Sequence, residues 1–271
     1  TEEVTTTEEV ADSEEEDGMY KVKKEEYIVE HDGLQVYGRI FMPDAEGTFP
    51  AIILSHGYNG SADDWGLECN YYAQHGYVAY AYDFCGGSVN SRSSLKATEM
   101  TILSEKADLI AVFENISSLE NVDKDRVYLM GGSQGGLVSA LAAEELGSRV
   151  KAMILYFPAF CVPDNWTDMY ASVDDITEVI EFWGMKLGKN FAVTVRDIDI
   201  STAIGGYEGS VIIMHGDQDA IVPLSYSQNI IKQYKKARLM LMPGEGHGFS
   251  PAGAQTAMEN TLDFMDGKFE R

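Results

Sequence analysis

The chain has 271 residues, 45% of them hydrophobic, and a formal charge of −24 at pH 7. A chain of this length and apolar content can bury a large core, which excludes a wholly disordered or fibrous protein. No apolar run approaches the roughly 20 residues that cross a bilayer, and an acidic surface repels nucleic acid, so we expect neither membrane insertion nor nucleic acid as a partner.

The first 18 residues are an acidic tail with nine acidic side chains and no basic one. Such a segment cannot bury enough apolar surface to offset its ordering entropy, so we expect residues 1–18 to be disordered. The sequence begins at Thr1, which leaves two origins open. The protein is either secreted or lipid-anchored after loss of an export signal, or cytoplasmic with its first residues not included in this sequence.

The three cysteines, Cys69, Cys85 and Cys161, give no sign of a disulfide framework or a metal site. Their number is odd, and none has the CxxC spacing of a zinc ligand pair. We expect them to be small core side chains.

Residues 19–271 are predicted to form one domain that begins with a β-hairpin. Residues 27–30 and 34–42 are rich in β-forming side chains, and Asp32-Gly33 between them is the dipeptide of a tight turn. After Pro43, short apolar runs typical of strands buried on both faces alternate with segments of helical periodicity. The runs are 51–55, 77–82, 127–130, 150–156, 211–214 and 238–242, and the helical segments are 100–119, 137–146, 224–234 and 252–269. This alternation predicts an α/β fold with a mostly parallel, eight-stranded sheet flanked by helices.

A long interval between the sixth and seventh predicted strands predicts an inserted cap. More than fifty residues separate Phe157 from the strand at 211, which is more than a simple crossover needs. The cap, at about 159–205, is rich in aromatic side chains that either form a small core of their own or contact substrate. The cap residues that we select as substrate contacts are Phe160, Trp166, Tyr170 and Trp183.

Ser133 is the predicted nucleophile. It stands in Gly131-Gly132-Ser133-Gln134-Gly135, between a predicted strand and a predicted helix, where a sharp turn presents the hydroxyl above the sheet. The flanking glycines allow neighbouring backbone to approach, and the helix N-terminus favours developing negative charge. A glycine-rich structural turn is the alternative, but the strand–helix position favours the nucleophile.

A serine nucleophile needs a base and a group that orients the base. His247 lies in a glycine-flanked loop after the last predicted strand, at the carboxyl edge where parallel sheets place their sites. His31 and His75 are expected at the surface. Asp217 and Asp219 follow the preceding strand and compete for the orienting role, and either could instead form a turn or cap a helix.

Two convergent amides are needed to stabilise a tetrahedral oxyanion. The Gln134 amide directly follows the nucleophile, and we assign the second donor to Tyr58 in the early loop His56-Gly57-Tyr58-Asn59-Gly60. His56 then shapes this loop and is a further candidate for substrate contact, rather than the base.

The order Ser133, Asp219, His247, the early His-Gly loop and the leading antiparallel strands resemble the α/β-hydrolase superfamily over residues 20–270. The superfamily pattern His-Gly-x-x-Asp-x-x-Val-Pro, present at 215–223, implies that Asp219 is the triad acid and leaves Asp217 a turn role. The Gly-x-Ser-Gln-Gly-Gly motif, the His-Gly-Tyr-Asn-Gly loop and the length of the cap are similar to bacterial cinnamoyl and feruloyl esterases. In that family the insertion roofs the acyl pocket and holds the phenolic ring.

The resemblance implies a serine carboxylester hydrolase that releases hydroxycinnamic acids, such as ferulate and p-coumarate, from small-molecule esters, with no metal or organic cofactor. A short-acyl carboxylesterase, a lipase or a peptidase would use the same triad. A ligand-binding receptor on a hydrolase scaffold is the non-catalytic alternative, because fold does not fix function. The oligomeric state stays open, with a homodimer as one option.

Overall fold

The computed structural model describes residues 18–269, so the predicted acidic tail lies, except for Gly18, outside the described residues. The strands within this range are β1 (Val22–His31), β2 (Leu34–Pro43), β3 (Phe49–Ser55), β4 (Val78–Tyr82), β5 (Val122–Gly132), β6 (Ala152–Tyr156), β7 (Val179–Phe182), β8 (Met185–Gly188), β9 (Ser210–Gly216) and β10 (Ala237–Met242). The α-helices are α1 (Gly66–Gln74), α2 (Ile102–Ser117), α3 (Gln134–Leu146), α4 (Val162–Met169), α5 (Lys189–Arg196), α6 (Ile200–Ala203), α7 (Leu224–Ile230) and α8 (Pro251–Met265).

Eight strands form one sheet in the order β1-β2-β4-β3-β5-β6-β9-β10. The pairs β1–β2 and β2–β4 are antiparallel, and all other neighbours in this sheet are parallel. The predicted fold class is therefore confirmed. Asp32 and Gly33 form the two-residue turn of the first hairpin with φ angles of +48° and +78°, the left-handed values that such turns require.

Helices cover both faces of the sheet because alternate residues of a strand point to opposite sides. On β3, which is buried along its whole length, Ile53 packs in one core cluster with residues of α2 and α3. Ile52 and Leu54 pack in a second cluster with residues of α1 and α8. The three cysteines are free and buried, as predicted. Within the described chain, no helix combines the length and apolar character needed to cross a membrane.

Helix α1 is the main element that the sequence pattern did not predict. Its buried side chains include Cys69, Tyr72 and Ala73, whereas Leu67, the most hydrophobic residue on the helix, is 79% exposed. Apolar periodicity is therefore weak here, although a mixed face of this kind packs well against the sheet. Helices α7 and α8 both end four residues earlier than predicted.

His31 and His75, which we predicted to lie at the surface, are both half-buried. His31 ties the first hairpin to α2 by donating from Nε2 to the buried Asp108, over 2.7 Å. His75 follows the last residue of α1, where its Nδ1 donates to the Tyr71 carbonyl over 2.7 Å. Both rings therefore have structural hydrogen bonds.

The segment that we predicted to be a cap corresponds to the chain between β6 and β9, the sixth and seventh strands of the main sheet. It holds α4, the β7–β8 hairpin, α5 and α6. Trp183 and Gly184 form the two-residue turn of this hairpin, with φ angles of +43° and +79°. The Tyr58 hydroxyl donates to the Phe182 carbonyl over 2.7 Å, and the two rings meet edge to face. The hairpin is thereby attached to the loop that follows β3.

Candidate active site

Ser133 occupies a sharp turn between the end of β5 and the start of α3. Its φ of +52° and ψ of −120° lie in a region that non-glycine residues rarely adopt. A Cβ atom on Gly131 would overlap the Gly135 carbonyl, and one on Gly135 would overlap the Ser55 and His56 carbonyls. The turn therefore requires glycine at both positions, as the motif predicted.

His247 lies in the loop between β10 and α8, with its ring between Ser133 and Asp219. Its Nε2 is 3.0 Å from Ser133 Oγ, and its Nδ1 is 2.8 Å from Asp219 Oδ2. Since an ionised carboxylate only accepts, Nδ1 carries the proton and Nε2 accepts from the Ser133 hydroxyl. The Phe157 ring packs 4.7 Å from the imidazole. The three residues thus form a continuous chain of hydrogen bonds.

Asp219 is the carboxylate that contacts His247, and its side chain is fully buried. Its Oδ1 accepts from the amides of Ile221 and Val222 over 2.8 and 2.9 Å. Burial alone would raise the pKa of Asp219, but hydrogen bonds from the Val222 amide, His247 and the Ile221 amide outweigh it and hold the pKa below its usual range. The carboxylate is therefore ionised beside the imidazole.

Asp217, the competing carboxylate, is exposed and points elsewhere. Its Oδ1 accepts from the Gly244 amide over 2.8 Å and from the Gln218 side chain. These bonds join the loops after β9 and β10. The geometry therefore gives Asp217 the turn role that the resemblance implied.

His215 is a further contact of Asp219 that sequence reasoning did not identify. Its Nε2 donates to the Val222 carbonyl over 3.0 Å and lies 3.2 Å from Asp219 Oδ2, while its Nδ1 accepts from the Ser227 hydroxyl over 2.7 Å. Burial lowers the pKa of His215, so the ring is neutral. The sequence feature that could have identified His215 is the His-Gly-x-x-Asp pattern, in which it is the first residue. We used that pattern only to choose between the two aspartates.

The loop after β3 lies against the nucleophile. A Cβ on Gly57 would be 3.2 Å from the Ser133 Cβ. Among residues 18–269, the amides of Tyr58 and Gln134 have no hydrogen-bond acceptor, so both are free to bind an oxygen atom. His56 is buried and neutral, since burial lowers its pKa. Its Nδ1 donates to the Gly57 carbonyl and its Nε2 accepts from the Phe84 amide, which leaves no ring nitrogen for a substrate.

An aromatic cavity of about 180 Å³, which we call the cap cavity, opens onto Ser133. Its walls include Tyr58, Trp166, Phe182, Trp183, Phe191 and Val222. The Trp166 ring lies 5.0 Å from the ring of Phe182 and 5.3 Å from that of Phe191. The predicted contacts Trp166 and Trp183 therefore face a cavity beside the nucleophile.

Two of the predicted cap contacts do not line this cavity. Phe160 is fully buried in the main core, and Tyr170 stacks on Trp166 at 6.2 Å between ring centroids. Phe182 and Phe191, which we did not select, line the cavity instead. The sequence showed that the cap is aromatic but held no signal for which rings face inwards, because that depends on how the hairpin and α5 pack together.

A buried acid, Glu105 of α2, lies behind the predicted oxyanion donor. The Gln134 side-chain amide donates to both of its carboxyl oxygens, over 3.0 and 2.8 Å. Burial raises the pKa of Glu105 to about 8, and the hydrogen bond from Gln134 only partly offsets this. Glu105 is therefore largely protonated at neutral pH.

Replacing Glu105 with glutamine is expected to change how stability depends on pH. The pKa of Glu105 rises on folding from 4.5 to about 8, so the wild type loses free energy of unfolding as pH rises between these values. The slope from one such group is at most about 1.4 kcal/mol per pH unit. In urea unfolding at several pH values, the free energy of unfolding of Glu105→Gln should rise relative to that of the wild type as the pH increases to about 8. A constant difference between the two proteins would mean that Glu105 ionises normally in the folded state.

Two family models and a curated relative match this chain. The family model described as Prolyl oligopeptidase family matches residues 64–271, and that of Acetyl xylan esterase (AXE1) matches residues 4–104. Among curated proteins, a non-heme haloperoxidase of Rhodococcus erythropolis is 24% identical, with 89% of this chain and 99% of that protein covered.

Solved structures of esterases share the fold. Est1E from Butyrivibrio proteoclasticus, solved with ferulic acid bound, is 25% identical with a TM-score of 0.80, and the match covers 90% of this chain and all of that one. Acetyl xylan esterase 1 from a Thermoanaerobacterium species is 21% identical with a TM-score of 0.65, over 90% of this chain and 89% of that one. The fold and these matches identify an esterase-type hydrolase. Since the first family model covers well over half of the sequence, the chain belongs to the prolyl oligopeptidase family, within the α/β hydrolases.

Proposed function

We propose that the protein is a serine carboxylester hydrolase that releases hydroxycinnamic acids, such as ferulate and p-coumarate, from small-molecule esters. The observation that carries this proposal is an aromatic cavity that opens directly onto a serine hydrogen-bonded to a histidine. The reaction uses side chains and backbone amides of the chain itself.

In the first half-reaction Ser133 Oγ attacks the ester carbonyl carbon while His247 Nε2 takes its proton. The bond to the alcohol oxygen then breaks as the imidazolium returns that proton to the leaving oxygen, and the acyl group stays on Ser133. Water attacks the acyl carbon and gives a proton to His247, which passes it to Ser133 Oγ as the acid leaves. Asp219 holds the imidazole tautomer and stabilises the imidazolium in both halves.

The free amides of Tyr58 and Gln134 are the proposed oxyanion donors. Loss of one such donor typically raises the barrier by about 2.7–4 kcal/mol, because the donor is already oriented before charge develops. The side chains of both residues are also fixed, since Tyr58 bonds to the cap and Gln134 to Glu105. These bonds support the view that the two amides hold their positions during turnover.

The cap cavity suits a flat, largely apolar acyl group. Its aromatic walls provide faces and edges against which a phenyl ring can pack, at the spacings that aromatic pairs prefer. Est1E, which has the same fold over nearly the same length, binds ferulic acid. We therefore assign the acyl group to this cavity and the hydroxycinnamates as its preferred class.

The acyl preference can be tested with one substitution that removes a wall and keeps the backbone. Trp183 is 64% exposed and takes the first position of a left-handed turn, where Asn-Gly is the favoured pair. In Trp183→Asn the turn should persist, while kcat/KM for methyl ferulate falls about tenfold through lost aromatic contact. The value for methyl acetate, which has the same leaving group, should fall much less, because an acetyl group is too short to fill the cavity.

A panel of methyl ferulate, methyl p-coumarate and p-nitrophenyl esters of rising chain length is the experiment that tests the class. A preference for aliphatic chains, or equal losses for both substrates in Trp183→Asn, would contradict the hydroxycinnamate assignment. The match to acetyl xylan esterases favours a second candidate, an acetyl esterase. That candidate predicts faster turnover of acetyl than of aromatic esters.

Two further alternatives are tested with additional substrates and probes beside this panel. A peptidase, favoured by the family match, would cleave peptide p-nitroanilides faster than the esters. A non-catalytic receptor would bind ferulate without hydrolysing any ester and would not react with a fluorophosphonate.

A further inference from the structure

A second cavity also reaches Ser133. It has a volume of about 350 Å³, and we call it the alcohol cavity. Ser133, Tyr58 and Trp183 line both cavities, but His247 lines only this one. In the proposed mechanism His247 gives its proton to the departing alcohol, so that alcohol must lie on the His247 side of the nucleophile. The leaving group is therefore placed in the alcohol cavity.

The walls of the alcohol cavity combine aromatic rings with negative charge. Trp65, Tyr156, Phe157 and Phe249 provide the rings. The charged groups are the carboxylates of Asp64 and Glu68, and no lysine or arginine is among the described residues that line this cavity. An anionic leaving group would meet both carboxylates and the field of a chain with a net charge of −24. The cavity thus disfavours anions.

Glu68, on α1, is the unusual group. Glu68 is only 9% exposed, and no other residue between 18 and 269 forms a hydrogen bond or an ion pair with its carboxylate. Burial and the neighbouring charge of Asp64 raise the pKa of Glu68. A hydrogen bond from the backbone amide of Glu68 itself offsets this only in part, and no donor from another described residue reaches the carboxylate, whereas Asp64 accepts from the Ser61 amide over 2.9 Å. Buried carboxylates are normally paired, so Glu68 lacks the partner that its position calls for.

We infer that the alcohol cavity binds leaving alcohols that carry a cationic nitrogen, an alkylammonium group of the choline kind, with Glu68 as the counter-ion. A carboxylate beside aromatic faces is the combination that recognises such cations, through ion pairing and cation–π attraction. The cation would supply the partner that Glu68 lacks. This inference rests on the proposed esterase function and adds the alcohol half of the substrate.

The test compares two esters of one acid whose alcohols have the same shape. Cinnamoylcholine and 3,3-dimethylbutyl cinnamate differ in that a positive nitrogen replaces a carbon. We expect the ratio of their kcat/KM values to exceed the ratio of their alkaline hydrolysis rates by about tenfold. Glu68→Gln should remove most of this excess. Because the result is a ratio between esters, any general loss of activity in the variant cancels.

Glu120→Gln is the matched control, since it removes one exposed negative charge near the opposite edge of the sheet, just before β5. It should leave the ratio unchanged. No excess in the wild type, or an excess that survives in Glu68→Gln, would overturn the inference. If the excess fell equally in Glu68→Gln and Glu120→Gln, the inference would also be overturned, because the preference for the cationic ester would then come from net charge rather than from Glu68.

A binding measurement separates this inference from the proposed function. By calorimetry, choline should bind the wild type about tenfold more tightly than 3,3-dimethylbutanol, and this difference should vanish in Glu68→Gln. Choline binding by a protein that hydrolyses no ester would overturn the proposed function alone. Hydrolysis of methyl ferulate without any preference for choline would overturn the cation site alone.

Discussion

Replacing Ser133 with alanine is expected to reduce ester hydrolysis by about a million-fold in kcat, since removal of a triad nucleophile typically has an effect of this size. The variant should still fold. Alanine keeps the Cβ atom, so the turn at φ +52° carries the same strain. Among the described residues, the lost hydroxyl makes one hydrogen bond, to His247. Steady-state hydrolysis of methyl ferulate and p-nitrophenyl acetate measures the loss, and circular dichroism with thermal unfolding verifies the fold.

Ser139 provides a matched control for the Ser133 variant. It lies six residues further along the chain, in α3, and its buried hydroxyl has no hydrogen-bond partner among the described residues. Ser139→Ala should therefore keep its activity within about threefold of the wild type, as expected for a change away from the reacting atoms. Turnover by Ser133→Ala at more than a hundredth of the wild-type rate would remove serine from the nucleophilic role.

Replacing Asp219 with asparagine is expected to lower kcat by about 10⁴-fold, whereas Asp217→Asn should change it less than about tenfold. An asparagine amide can donate to His247 Nδ1 and so stabilise the wrong imidazole tautomer. It also cannot accept from the Ile221 and Val222 amides and His247 as a carboxylate does. Asp217→Asn loses only charge at an exposed turn.

The two aspartate variants are to be compared at several pH values with a single substrate. The pKa of Asp219 lies below its usual range, so its carboxylate stays ionised across the range in which a histidine base acts, and the gap between the variants should persist there. If Asp217→Asn had the larger effect, the choice between the two carboxylates would be wrong.

Much of the candidate site follows from the sequence because its residues stand where elements end. Ser133 joins a buried strand to a helix, and Asp219 and His247 follow the carboxyl ends of β9 and β10. Parallel strands bring such positions to one edge of the sheet, so spacing along the chain is enough to predict their proximity. The choice of Asp219 over Asp217 came from the family pattern and agrees with the contacts observed.

The cap could not be predicted in the same way. Its hairpin turns at Trp183-Gly184, which is not one of the strong hairpin dipeptides, and its strands have only four residues each, too few for a clear alternation pattern. Which aromatic rings face the cavity depends on packing between α4, α5 and the hairpin. For that reason Phe160 and Tyr170, which we selected, do not line the cap cavity, whereas Phe182 and Phe191, which we did not select, do.

Glu68 and Glu105 were also beyond the reach of sequence patterns. Both lie on helices, where a glutamate is normally an exposed residue with good helix propensity. Their burial follows from the face on which α1 and α2 meet the rest of the domain, and α1 was not among the segments that we identified by apolar periodicity. Buried acids of this kind become visible only when the helices are packed.

The central claim is that His247 activates Ser133 as the nucleophile, and covalent labelling tests it most directly. After reaction with a fluorophosphonate, trypsin should release residues 127–149, between Arg126 and Arg149, as a peptide that contains Ser133. Mass spectrometry is predicted to find a single adduct, located on Ser133, and the labelling rate should fall at least about a thousandfold in His247→Ala. An adduct on another residue, or an unchanged labelling rate in His247→Ala, would contradict the account.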